Sequence, residues 1–234
     1  MKGITIPSFI TRIEDFSFFS CTLLNEVIIP PSVTYIGKFA FGKCSNLISI
    51  NIPCSVTEIG KGIFYKCTKL RKLEIPSSIT KIPICAFDGC SLFEKIIIPS
   101  SVNEIGPYSF CSCSKMKKIK IPSSVTVIGE YAFCLCSLLN EIEIPSSVTK
   151  ICNYVFRGCK ALDKIAIPQN VTEIGKYAFH NCSSLIEIEI PPYVTEIGEF
   201  AFDGCSSLKK IIIPSSITNI ENLGINNETK IIIK

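Results

Sequence analysis

Apolar and polar positions along this chain recur with a period far longer than a helical turn or a strand pair. Isoleucine followed by proline stands at Ile6, Ile29, Ile52, Ile75, Ile98, Ile121, Ile144, Ile167, Ile190 and Ile213, each interval being 23 residues. With that isoleucine as position 0, position 4 is always Val or Ile, and position 7 is always Ile (Ile13 through Ile220). Position 12 is Phe in the first nine units, from Phe18 to Phe202, and position 15 is Cys in the same nine, from Cys21 to Cys205. In the first nine units position 18 is Leu except at Phe93 and Met116, and position 21 is Val, Ile or Leu. A unit of this size cannot enclose its own apolar face, whereas stacked units share a continuous core. The pattern predicts one solenoid domain over residues 1–234, built of ten units that begin at the isoleucines above, the last one shortened.

Within a unit, the approach to Ile-Pro alternates, as in Leu185, Ile188 and Ile190, and predicts a short strand with one buried face. Proline ends it, having no N–H to give to a ladder. A second extended stretch follows, for example Val171-Thr172-Glu173-Ile174, and in six units a glycine comes next (Gly37, Gly60, Gly106, Gly129, Gly175, Gly198), which predicts a tight bend. The segment after it, such as Lys176-Tyr177-Ala178-Phe179, reads as a short helix or 3₁₀ turn. Each strand returns one unit later, so neighbouring strands pair parallel. In the tenth unit the Phe and Cys are lost. If Ile231-Ile232-Ile233 is the last strand, three residues are deleted there.

Composition narrows the function without identifying a partner. The 234 residues are 47% hydrophobic, which excludes intrinsic disorder. The longest apolar run, Tyr131 to Cys136, is far short of the roughly 18 residues of a spanning helix. A net charge of +4 is too balanced to imply nucleic acid or an anionic membrane. One histidine and no tryptophan leave few routes to a histidine-based catalytic site.

The unit Leu-x-x-Ile-x-Ile-Pro-x-x-Val-Thr-x-Ile-Gly-x-x-Ala-Phe-x-x-Cys resembles the BspA-type leucine-rich repeat over essentially the whole chain. The resemblance implies an α/β repeat fold: a right-handed solenoid with a parallel sheet on its concave side and short extended, 3₁₀ or helical segments on the convex side. It also implies a non-catalytic role in protein recognition, at a cell surface and as an adhesin for host or matrix proteins. Met1-Lys2-Gly3-Ile4-Thr5 runs straight into the first strand with no apolar leader region, which favours a cytoplasmic adaptor or regulatory subunit instead. Ile4 and Ile6 then form an uncovered edge, a place for self-association.

Of the fourteen cysteines, nine share one repeat position and read as a buried, reduced packing column. Cys54, Cys85, Cys111, Cys134 and Cys152 are the remainder. Cys111-x-Cys113 and Cys134-x-Cys136 superficially suggest a four-thiolate zinc site. Structural zinc favours longer spacers, and one member of each pair is expected to face inward. No metal, cofactor or catalytic residue is assigned, and a metal-binding protein or enzyme remains a remote alternative. His180, at variable position 13, reads as solvent-facing. The Ser-Ser pairs after many prolines read as turn residues, and Asn170, Asn181 and Asn227 are sequons of the kind chance supplies.

The outward positions of the strand are the informative ones. Lys72, Lys95, Lys117, Lys118, Lys120, Lys164 and Lys210, with Glu141, Glu143, Glu187 and Glu189, form a basic patch beside an acidic one. They are the candidate protein-binding residues, through which complementary charge steers a partner. The alternative is a solvated face that blunts aggregation.

Overall fold

A computed structural model describes residues 2–234. It is a parallel β-solenoid of about ten turns with almost no helix. Two ladders of short strands run along it. The first holds the three- to five-residue strands, including Leu24–Ile28, Ser49–Asn51, Lys72–Glu74, Lys95–Ile97, Lys118–Lys120, Glu141–Glu143 and Glu187–Glu189. The second holds two-residue strands such as Tyr35–Ile36, Val127–Ile128 and Glu173–Ile174. All pairing is parallel and offset by one repeat, as in Ile119 against Ile142 and Ile105 against Ile128. In the last coil Ile211 faces Ile231, an offset three residues short of the repeat.

The apolar positions converge on one core that runs from Ile6 to Leu223. Phe41, Phe64, Phe87, Phe110, Phe133, Phe156, Phe179 and Phe202 are fully enclosed, and with Phe18 they stack along the axis at centroid distances of 5.3 to 5.9 Å. Enclosing one such side chain stabilises by roughly 1.5–3 kcal/mol. The column therefore ties each coil to both neighbours.

Polar hydrogens bridge the coils. Each core thiol from Cys44 to Cys205 donates to the carbonyl of a phenylalanine one coil back, as Cys67 Sγ to Phe41 O at 3.0 Å and Cys159 Sγ to Phe133 O at 3.2 Å. The position needs a small apolar residue with a hydrogen to give, and cysteine is that residue. The second serine after the prolines does likewise: Ser101 Oγ donates to Ile79 O and Ser124 Oγ to Val102 O, at 2.7 and 2.6 Å. These hydroxyls join coils, whereas the sequence alone suggested a purely local turn.

The segment before the cysteine is not a helix. Among the described residues the only helix is the 3₁₀ turn Glu221–Leu223. A helix sends each N–H four residues back, but here alternate donors leave the coil. Phe41 N–H bonds Ile63 O of the next coil at 3.0 Å, while Gly42 N–H bonds Phe39 O of its own at 2.9 Å. Two residues per coil take left-handed φ to make this possible, for instance Phe39 at 51° and Lys43 at 59°, Tyr131 at 57° and Leu135 at 60°. The glycines after the second strand serve close approach more than bending. A Cβ on Gly129 would lie 2.5 Å from Pro107 N of the preceding coil.

Candidate functional site

In the three-residue strands of the long-strand face the middle residue is buried or half-buried and its neighbours are exposed, as at Lys95–Ile97 and Lys118–Lys120. The pleat thus presents Lys72, Lys95, Lys118, Glu141 and Glu187 in one row and Lys120, Glu143 and Glu189 in the next. Lys117 is exposed beside the first row. Lys164 lacks the strand predicted for it: residues 164–166 carry no ladder assignment. Ala166 is a poor strand former there, its methyl too short to pack across the rungs to Glu143 or Glu189. Lys210 is half-buried, and Ile212, expected to face outward, is enclosed against the last coil.

Charge pairing divides the candidates into two parts. Near the end, Lys210 Nζ is paired with Glu187, and Lys234 Nζ lies 2.8 Å from Glu189. The Lys234 contact holds the Glu189 carboxyl below its usual range. That acidic half is therefore neutralised from within the chain. In the middle coils Lys72, Lys95, Lys117, Lys118 and Lys120 take part in no ion pair among the described residues, and neither do Glu141 and Glu143. Lys72 stands directly against Lys95 in register, a like-charge neighbour pair that costs stability. Lys95, Lys117, Lys118 and Lys120 line an open groove of about 1230 Å³, whose apolar lining includes Leu92, Ile97 and Leu138.

The column thiols and the histidine are separately engaged. Both members of each Cys-x-Cys pair are buried, contrary to the inward-outward alternation expected of a helical turn. The left-handed residue between them, Ser112 or Leu135, turns outward and leaves both neighbours under the surface. Cys113 and Cys136 are committed to the carbonyls of Phe87 and Phe110. Burial pushes the column thiols up, Cys44 and Cys205 to about 12, away from nucleophilic use. No group of three or more His, Cys, Asp or Glu side chains that could hold a metal occurs among the described residues. His180 is half-buried, its side chain 17% exposed, with Nδ1 3.0 Å from Asp203 Oδ2. The solvent-facing assignment fails because position 13 lies in the lee of the outward-turned left-handed residue. Arg157 occupies the rung between His180 and Cys134, so no Cys-His dyad forms.

The model of the BspA type leucine rich repeat region, in six copies, matches residues 1–117 and 103–232. The chain belongs to the BspA-type leucine-rich repeat family. This leucine-rich repeat chain is similar to a leucine rich cell surface protein from Faecalibacterium prausnitzii, at 27% identity and TM-score 0.58, over 100% of this chain and 79% of that one. It is similar also to a leucine-rich repeat protein from Eubacterium ventriosum, at 26% identity and TM-score 0.61, over 99% and 72%. The pneumococcal vaccine antigen PcpA shares the fold at 23% identity and TM-score 0.66, over 99% and 68%. No curated protein matches it. No helix among its described residues is long and apolar enough to cross a membrane.

One feature of the repeat escaped the sequence reading. Tyr108, Tyr131, Tyr154 and Tyr177 stack at 4.4 to 4.9 Å with nearly parallel rings, on the turn side of the coil. Each has positive φ, an uncommon conformation for a bulky residue. Recurrence at position 10 was the available signal, but aromatic spacing alone does not reveal a left-handed backbone.

Proposed function

We propose that this leucine-rich repeat chain is a non-catalytic scaffold whose ten coils act as one domain over residues 1–234 and bind another protein on the long-strand face. The right-handed sense and the concavity of that face, implied by the family, belong to the same reading. The observation that carries it is the unpaired charged ladder of the middle coils around an open groove lined also by exposed apolar side chains. Lys72, Lys95, Lys117, Lys118, Lys120, Glu141 and Glu143 are the binding residues; Lys164, Glu187, Glu189 and Lys210 flank them. Likeness to a cell surface protein supports an adhesive role toward host or matrix proteins over that of an intracellular adaptor. A photo-crosslinking amino acid at Lys118, compared with one at exposed Leu135 on the turn side, tests the face. Crosslinking in source cells to a discrete protein from Lys118 alone is expected; equal or no crosslinking from both rejects the reading. Labelling intact cells from outside separates the surface role from the adaptor.

A further inference from the structure

We propose that the groove of the middle coils takes an extended acidic peptide segment with apolar side chains; this rests on the reading of the long-strand face as a recognition surface. Lys95 and Lys118 line the groove and Lys72 stands in register against Lys95 at its edge; none of the three is in an ion pair, whereas Lys210 and Lys234 on the same face are paired. Like charges in register, as Lys72 against Lys95, destabilise a sheet, and an anionic occupant relieves it. The carboxylates lining the groove do not fill that role: Glu94 is held by Arg71 at 3.3 Å, and Glu141, in register with Lys118, closes no ion pair with it. Glu141 and Glu143 instead end the basic run and set where an acidic segment must stop.

The apolar lining decides the class of anion. Ile97 is 48% exposed and Leu138 37% exposed, and both line the groove with the lysines. A sulfated polysaccharide matches the charge but offers nothing to cover these side chains, whereas a peptide with leucine between its carboxylates matches both. Rungs about 4.8 Å apart place Lys72 and Lys118 about 10 Å from each other, the reach of roughly three extended residues. Carboxylates three residues apart therefore meet the ends of the column.

The test is fluorescence anisotropy of the full chain with a labelled nonapeptide bearing glutamates three residues apart and leucines between them. Saturable binding is expected. It should weaken at least tenfold when the glutamates become glutamine, when the leucines become serine, and in the Lys95→Glu protein. That variant should keep or raise its thermal midpoint, since the like-charge contact of Lys72 with Lys95 becomes an opposite-charge one, so lost binding is not lost folding. Absence of saturable binding overturns the proposal, as does binding indifferent to the glutamine or serine peptide. Displacement by a sulfated oligosaccharide at lower concentration than by unlabelled peptide also overturns it. If Lys118 crosslinks a protein in cells while the peptide fails, the recognition face stands and only its acidic occupant is rejected.

Discussion

The thiol column makes this protein sensitive to alkali in a way that can be worked out from burial. Cys67, Cys90, Cys113, Cys136, Cys159 and Cys182 are fully enclosed, and desolvation raises all six well above the ordinary thiol value. In the unfolded chain each titrates near 8.5. Raised in the folded state, these groups contribute stability that is intact below that pH and is lost as pH climbs towards the folded values, because only the unfolded chain gives up its protons. One unit above the unfolded value, at pH 9.5, each thiol has withdrawn about 1.4 kcal/mol, or about 8 kcal/mol for the six. That rivals the whole stability of an ordinary domain, roughly 5–15 kcal/mol. Urea denaturation followed by far-ultraviolet circular dichroism at pH 7.5 and 9.5 measures it directly. The midpoint should fall steeply as the pH is raised. An unchanged midpoint refutes the burial of the column.

Two side-chain truncations probe the core. Phe133→Ala removes a ring stacked at 5.5 and 5.8 Å between Phe110 and Phe156 and should cost about 3–5 kcal/mol in urea denaturation. Phe18→Ala, half-buried and stacked only on Phe41, should cost about half as much; equal losses would contradict the column. Ser109 is fully buried with Oγ unpartnered, where Ala86 and Ala132 stand one coil to either side. Ser109→Ala should therefore raise stability by about 1 kcal/mol, read as a higher urea midpoint.

What could be read before the structure followed from spacing. Ile, Phe, Cys and Leu at fixed positions demand a shared core, because side chains one repeat apart must lie over one another in parallel coils. The turn before the cysteine was illegible for a definite reason. Lys176-Tyr177-Ala178-Phe179 has good helical composition, and only the carbonyls of the next coil, a tertiary feature, draw alternate N–H groups away. The same blindness affected His180 and the Cys-x-Cys pairs, whose directions depend on the left-handed residue beside them. The candidate face was legible in position but not in pairing. Lys210 and Glu187 are one repeat apart, as are Lys118 and Glu141, and only geometry distinguishes the pair that closes from the one that stays open.

That distinction argues where recognition resides. Along each coil the thiol, the serine hydroxyl and many of the threonine hydroxyls are consumed by carbonyls of the preceding coil, as with Thr57 on Thr34 and Cys90 on Phe64. On the second, short-strand face Lys81 with Glu104 and Lys150 with Glu173 close ion pairs at 2.7 Å. Such exposed pairs add little stability, but they do satisfy their charges. The middle coils of the long-strand face combine uncompensated lysines in register with exposed Ile97 and Leu138. A scaffold selected for stability alone has no reason to keep Lys72 against Lys95, where one glutamate would turn repulsion into a pair. Its persistence there makes Lys95→Glu the discriminating substitution: a more stable protein that has lost its partner locates function in those rungs, and one that binds as before removes it from them.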